Sequence, residues 1–98
     1  MTSKEFILNS LQSGKGELQK YGVSLIGLFG SYSRNEQTDQ SDVDILIDFD
    51  PDKETYDNLM AVYDLLEILF RNEKIEIVTK NGLSPHIGPR IIEEAIYV

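Results

Sequence analysis

The sequence contains no cysteine and no tryptophan, and only three of its residues are proline. Without cysteine the chain can form neither a disulfide framework nor a cysteine-ligated zinc site, so both usual supports of a small domain are excluded. Its 98 residues must therefore be stabilised by a hydrophobic core, either alone or together with contacts to a partner protein. We expect one domain that spans residues 1–98.

Long apolar runs are also absent. No segment approaches the roughly 20 apolar residues that cross a bilayer. The first residues, MTSKE, are not a basic region followed by the apolar core of a signal peptide. The sequence therefore predicts a cytoplasmic protein that does not associate with membranes.

Basic residues are scarce, since 9 Lys and Arg stand against 17 Asp and Glu, which gives a formal net charge of −8. Sequence-independent binding to nucleic acid requires clustered basic side chains, so this composition argues against a direct nucleic-acid partner. A phosphate-containing ligand would need a cation between its charges and these carboxylates. Mg²⁺ is the obvious candidate for that cation.

The spacing of apolar residues predicts alternating helices and strands. Gly14 and Gly16 weaken the first helix, which either depends on tertiary packing or breaks near Gly14. The order predicts an α/β (α+β) fold, in which a small mixed sheet of three to four strands carries helices on one face. The predicted elements are a helix over 4–20, a strand over 23–29, a loop or short helix over 30–41, a strand over 42–49, a helix through 59–70, a strand over 74–79 and a helix around 91–96.

Two aspartates lie two positions apart in the second predicted strand. Side chains at such a spacing point to the same face, so Asp42 and Asp44 can converge above the sheet. The other face of this strand is expected to lie in the core and carries Val43, Ile45, Ile47 and Phe49. Two carboxylates would repel one another unless a cation lay between them, and oxygen ligands of this kind suit Mg²⁺. A solvated strand edge explains the same pattern, and the pattern alone does not decide between the two.

A third carboxylate, Glu76, lies in the alternating strand over 74–79, where its apolar neighbours are expected to face the core. If this strand pairs with the strand of Asp42 and Asp44, the three carboxylates share one open face and could hold one or two metal ions. If it does not, Glu76 faces solvent.

Gly30 and Ser31 directly follow the first predicted strand. Backbone N–H groups in such a position favour an anion if a short helix follows, and Arg34 could reach the same anion. The alternatives are that a serine caps the helix, with Ser33 and Glu36 forming a capping box, and that Arg34 pairs with Glu36 or Asp39.

Two motifs together resemble a known signature. GSYSR at residues 30–34 and SDVDIL at residues 41–46 are similar to the GSxxR and SDxDL motifs of the DNA polymerase β-like nucleotidyltransferases. With LF at 28–29, KIEIVT at 74–79 and IEEAIYV at 92–98, nearly the whole chain resembles the minimal nucleotidyltransferases. These are the antitoxin halves of HEPN-MNT toxin-antitoxin pairs.

The resemblance implies the nucleotidyltransferase fold and a function for each matched residue. Asp42 and Asp44 would ligate Mg²⁺, and Glu76 would stand at the third acidic position, as a catalytic group or a further metal ligand. Nucleotide binding would involve Gly30, Ser31 and Arg34, with the first two holding the β- and γ-phosphates of ATP.

The implied reaction transfers AMP from ATP to a hydroxyl, a tyrosine hydroxyl of a partner HEPN toxin, within a hetero-oligomer. Family members usually have glycine where this chain has Asn35, a residue that also tolerates left-handed backbone. They more often have aspartate where this chain has Glu76. Tyr32 is expected to line the nucleotide site.

Two other functions remain open at this point. The chain could neutralise a toxin by binding alone, with a vestigial or regulatory site. It could instead transfer a nucleotide to a small molecule, in which case a partner or a second copy would supply the acceptor site.

Overall fold

The computed structural model describes residues 2–98, which form three α-helices and four strands. The described residues also form two short 3₁₀ helices, Pro51–Lys53 and Lys80–Gly82. Within residues 2–98, no helix combines the length and the apolar character needed to cross a membrane. The elements are α1 (Lys4–Lys20), β1 (Val23–Phe29), β2 (Val43–Phe49), α2 (Tyr56–Leu69), β3 (Ile75–Thr79), α3 (Gly88–Glu94) and β4 (Ile96–Tyr97).

The four strands form one mixed sheet in the order β3-β2-β1-β4. β1 is antiparallel to both β2 and β4, whereas β2 and β3 are parallel. Parallel neighbours need a crossover connection, and α2 supplies it between β2 and β3. This sheet confirms the predicted fold class.

The hydrophobic core lies between α1, α2 and one face of the sheet. Along β2 the side chains alternate, so that Val43, Ile45 and Ile47 belong to the core cluster, whereas Leu46 is buried on the opposite face. The helices contribute Ile7, Leu11 and Leu18 from α1 and Val62 and Leu66 from α2.

α1 is continuous through both of its glycines, so the break considered near Gly14 does not occur. Ser3 caps its N-terminus by accepting a hydrogen bond from the Phe6 N–H at 3.1 Å. The apolar face of the helix packs on the sheet, and Leu69 of α2 lies against Gly14. Tertiary packing of this kind outweighs the low helix propensity of glycine.

Replacement of Gly16 by alanine is expected to raise the free energy of unfolding by about 1 kcal/mol, because alanine loses less backbone entropy in a helix. A Cβ atom at Gly16 would meet no heavy atom within 4 Å. Urea denaturation measures the change. The matched variant Gly14→Ala should gain less, because its Cβ would lie 3.1 Å from Leu69 Cδ2. A loss of stability in Gly16→Ala would contradict the argument.

The C-terminus differs from the predicted helix around residues 91–96. α3 begins earlier, at Gly88, and ends at Glu94, and Ile96–Tyr97 forms β4. β4 pairs with β1 at Gly27 and Leu28. The free edge of β1 offers backbone hydrogen bonds, and a Cβ at Gly27 would lie 3.0 Å from the Tyr97 ring, so glycine lets β4 approach closely without a shift of that ring.

Candidate active site

A row of side chains crosses three strands on the face opposite α1 and α2. Phe29 of β1 is the antiparallel partner of Asp44, and Asp44 is the parallel partner of Glu76. Partners in register point to the same face of a sheet. The pairing therefore places Glu76 beside Asp44, which is one of the two arrangements that the sequence left open.

Asp44 is half-buried and lies among like charges. Burial raises its pKa to about 6, and the charge of Glu76, a hydrogen bond with Glu76 and the charge of Asp42 act in the same direction. Arg34 opposes the rise only in part. Asp42 directly precedes β2 and is also partly buried. Ionising Asp44 beside its two acidic neighbours therefore costs free energy that a proton or a cation would relieve.

The donors fit Mg²⁺, because carboxylate oxygens are the protein ligands that this ion prefers. Among residues 2–98, no three His, Asp or Glu side chains lie close enough together to hold a metal ion by themselves. Mg²⁺ is commonly held by one or two carboxylates together with substrate phosphates and water. Asp42 and Asp44, with Glu76 beside them, could hold the ion in that way.

Ionisation of Asp44 makes stability depend on pH. Its pKa is about 6 in the folded protein against 3.8 for an ordinary aspartate, so the folded state binds more protons than the unfolded chain between these values. Stability therefore falls as the pH rises from about 4 to 6 and then levels off. Asp44→Asn should abolish this fall.

Thermal melts in EDTA at pH 4 and pH 8 test this expectation. At pH 8 the variant is expected to gain about 1 kcal/mol after allowance for solvent screening of this half-exposed group. That gain corresponds to roughly 4–8 °C in Tm for a domain of this size. At pH 4 little change is expected, and an equal shift at both values would contradict the assignment.

The segment after β1 is a series of hydrogen-bonded turns and contains no helix, so the helix N-terminus considered from the sequence is not formed. The N–H groups of Ser33 and Arg34 donate to the Gly30 carbonyl at 3.1 and 3.3 Å. The Ser33 hydroxyl also donates to that carbonyl at 2.7 Å, an arrangement unlike a capping box with Glu36. Asn35 has φ 60°, which confirms the expected left-handed backbone.

Gly30 brings this turn directly against Asp44. Its φ is +75°, and a Cβ atom built there would lie 2.1 Å from Asp44 Oδ2. Only glycine combines this backbone conformation with so close an approach. Ser31 follows, half-buried, and its carbonyl accepts a hydrogen bond from Glu36 N–H at 2.9 Å. The structure therefore places Gly30 and Ser31 next to the carboxylate row.

Arg34 lies on the exposed side of the turn and pairs with two carboxylates. Its Nε donates to Glu36 Oε1 at 2.7 Å, and its Nη1 donates to Glu94 Oε1. Glu94 also accepts a hydrogen bond from the Gly30 N–H, at 2.9 Å to Oε2. Sequence reasoning considered the pair with Glu36 but missed Glu94, because no local pattern relates residues that are 60 positions apart.

The expectation that Tyr32 lines the nucleotide site is wrong. Its side chain is only 2% exposed and belongs to the hydrophobic core. Burial raises the pKa of its hydroxyl, and the nearby carboxylate of Glu73 raises it further. Tyr32 therefore anchors the turn in the core while its neighbours Ser31 and Ser33 stay closer to the surface.

Comparisons with known proteins agree with this geometry. The family model of the nucleotidyltransferase domain matches residues 12–98. A solved structure of a minimal nucleotidyltransferase superposes with a TM-score of 0.82 at 25% identity, covering 97% of this chain and 95% of that one.

Relatives of similar length carry a more specific name. Protein adenylyltransferase MntA of Thermococcus cleftensis is 37% identical over 101 residues, which covers 100% of this chain and 98% of that protein. Two proteins of Methanocaldococcus jannaschii, also named as protein adenylyltransferases, are 40% and 42% identical. The first alignment covers 83% of this chain and 85% of the relative, and the second covers 90% of each.

Proposed function

The chain belongs to the nucleotidyltransferase domain family, and we propose that it transfers AMP from ATP to a hydroxyl group of a partner protein. The observation that carries this proposal is the row of Asp44 and Glu76 in register, with the Gly30 turn packed against Asp44. Phosphate-binding backbone and metal-binding carboxylates are needed together for in-line transfer at phosphorus.

The choice of AMP and of a protein acceptor rests on the relatives. MntA of Thermococcus cleftensis matches this chain along its whole length and is named a protein adenylyltransferase. The position and exposure of Glu76 support the choice of a protein acceptor. β3 is an edge strand of the described sheet and Glu76 is exposed, so a hydroxyl on another protein can approach it.

Each residue of the site has a distinct part in the proposed reaction. Asp42 and Asp44 would hold Mg²⁺, which when bound neutralises charge on the phosphate oxygens. Gly30, Ser31 and Arg34 would bind and orient the β- and γ-phosphates. The acceptor oxygen forms a bond to the α-phosphorus, the bond to the bridging oxygen breaks, and pyrophosphate leaves. Glu76 would accept the proton of the attacking hydroxyl or share the metal.

We propose that the acceptor is a tyrosine of a HEPN-type toxin, which would be inactivated in the cytoplasm within a hetero-oligomer of the two proteins. The support for this partner is the resemblance of nearly the whole chain to the minimal nucleotidyltransferases, the antitoxin halves of HEPN-MNT pairs. In this arrangement the toxin supplies the hydroxyl and this chain supplies the nucleotide site.

A second function is favoured by a separate observation. α2 exposes Tyr56, Met60 and Ile68 at intervals of four or eight residues, and Phe6 of α1 is 55% exposed. Apolar side chains of this kind suit protein binding. The chain could therefore neutralise its toxin by complex formation alone, without covalent transfer.

Intact-mass spectrometry of the protein encoded beside this chain, as the proposed toxin, separates the two functions. That protein is incubated with this chain and ATP, with Mg²⁺ in one sample and EDTA in the other. We expect a gain of one or more AMP units only with Mg²⁺. A stable complex in which neither protein gains mass would reject transfer to the toxin and support neutralisation by binding.

A further inference from the structure

Glu94 connects the C-terminal helix to the turn that follows β1. One oxygen of its carboxylate accepts the Gly30 N–H at 2.9 Å, and the other accepts Arg34 Nη1. The turn that it holds carries Gly30, Ser31 and Arg34, the residues expected to bind the triphosphate. Glu94 itself is 64 and 60 residues away from them in the sequence.

The electrostatic setting of Glu94 favours its ionised form. Burial opposes ionisation, but the hydrogen bond from Gly30 and the contacts with Arg34 outweigh it, so the pKa of Glu94 is lowered. The charge of Arg90 on the same helix acts in the same direction. The carboxylate therefore remains charged near neutral pH and keeps both bonds, each of which is charge-assisted.

Holding Gly30 also fixes its distance to the carboxylate row. The Gly30 backbone lies so close to Asp44 that no side chain would fit between them. A shift of the turn would therefore change the space between the phosphate-binding backbone and Asp44. A fork-shaped contact from Glu94 limits such a shift and limits the orientations open to Arg34.

We propose that Glu94 is a positioning residue for nucleotide binding, which holds the turn of Gly30 and Ser31 and the Arg34 guanidinium in place for the triphosphate. This inference rests on the proposed function in that the ligand is Mg-ATP. Without Glu94, Arg34 would retain the exposed pair with Glu36, a contact that restrains an arginine weakly. The Gly30 N–H would lose its acceptor, and the turn would lose its connection to α3.

Three variants test the proposal. Glu94→Ala removes both contacts, whereas Glu94→Gln retains an oxygen that can accept the Gly30 N–H but loses the ion pair with Arg34. Glu93→Ala is the matched control, since Glu93 is an exposed neighbour on the same helix. Each variant is titrated with fluorescent mant-ATP and Mg²⁺ to obtain Kd, and is assayed for KM and kcat of AMP transfer.

We expect Glu94→Ala to raise Kd and KM for the nucleotide by about tenfold, as for the loss of one charge-assisted interaction. kcat should change by less than about threefold, because the carboxylates that perform the chemistry remain. Glu94→Gln should lie between Glu94→Ala and the wild type, and Glu93→Ala should match the wild type. This ordering of Kd would not arise from a general loss of stability.

Other results would overturn the proposal. If Glu94→Ala lowers only Tm and leaves Kd equal to that of Glu93→Ala, Glu94 has a structural function alone. If Glu94→Ala does not fold, an unchanged Kd in the isosteric Glu94→Gln variant rejects the contribution of the ion pair. If the wild type binds Mg-ATP but transfers no AMP, the proposed function fails while the Kd series still decides the function of Glu94. If it binds no Mg-ATP, both fail.

Discussion

Simultaneous replacement of Asp42 and Asp44 by asparagine is expected to lower the rate of AMP transfer by at least about 1000-fold. Asparagine has nearly the shape of aspartate but lacks the charge that binds a cation. Metal ions contribute several kcal/mol to transfer reactions at phosphorus, and each 1.36 kcal/mol corresponds to a factor of ten in rate. Loss of two metal ligands that act together should therefore remove most of the rate enhancement.

The rate of mass gain of the toxin measures this effect, and circular dichroism verifies that the variant is folded. The matched control is Asp48→Asn with Asp50→Asn. It also removes two negative charges, but at the other end of β2, away from Glu76. This control is expected to stay within about threefold of the wild type. If the Asp42 and Asp44 double variant retains transfer within tenfold of the wild-type rate, these carboxylates do not hold a catalytic metal.

Complex formation with the proposed toxin partner should survive the double substitution, because the exposed apolar side chains of α2 that suit protein binding, Tyr56, Met60 and Ile68, are unchanged. Neutralisation of the toxin in cells then separates the two proposed functions. If neutralisation is lost while the complex persists, covalent transfer is required. If neutralisation persists in full, binding is sufficient and the enzymatic explanation of neutralisation fails.

Replacement of Gly30 by alanine is expected to reduce both stability and transfer. The left-handed backbone at φ +75° costs a residue with a Cβ atom about 1–2 kcal/mol. In addition, the new Cβ would lie 2.1 Å from Asp44 Oδ2, so the carboxylate or the turn has to move. Since a displacement of about 1 Å at a catalytic group costs on the order of 100-fold in rate, we expect at least that loss of transfer.

Urea denaturation and the mass-gain assay measure the two effects of Gly30→Ala. Gly16→Ala is the matched control, since the same chemical change there meets no neighbouring atom and is expected to stabilise α1. Transfer by Gly16→Ala should equal that of the wild type. Undiminished transfer by Gly30→Ala would show that contact between the turn and Asp44 is not needed for the reaction.

Local patterns in the sequence were sufficient for much of the fold. The alternation over 42–49 correctly assigned Val43, Ile45 and Ile47 to the core and Asp44 to the opposite face, because a strand exposes successive residues on opposite sides. The predicted end of α1 at residue 20 is also correct, and Gly22 just beyond it adopts the left-handed φ of +90° that glycine allows. The GSYSR and SDVDIL motifs indicated the family because the residues of each motif are close together in the sequence.

The terminal elements were less predictable because their structure depends on distant contacts. No local pattern at Ile96 and Tyr97 distinguishes the end of a helix from a short strand. These residues form a strand because they pair with the free edge of β1. Tyr32 resembled a ligand-lining residue in sequence, but tertiary packing places it in the core. Interior burial is a property of the whole fold.

The sequence by itself determined the family, the order of the principal elements and the two aspartates that share one face of β2, because each depends on residues close together in the chain. Only the tertiary structure decided that Glu76 lies beside Asp44 and that Glu94 holds Gly30 and Arg34. The first depends on the parallel pairing of β2 with β3, and the second on where α3 packs. Strand register and helix docking are set by the packing of the whole core, which no local pattern encodes.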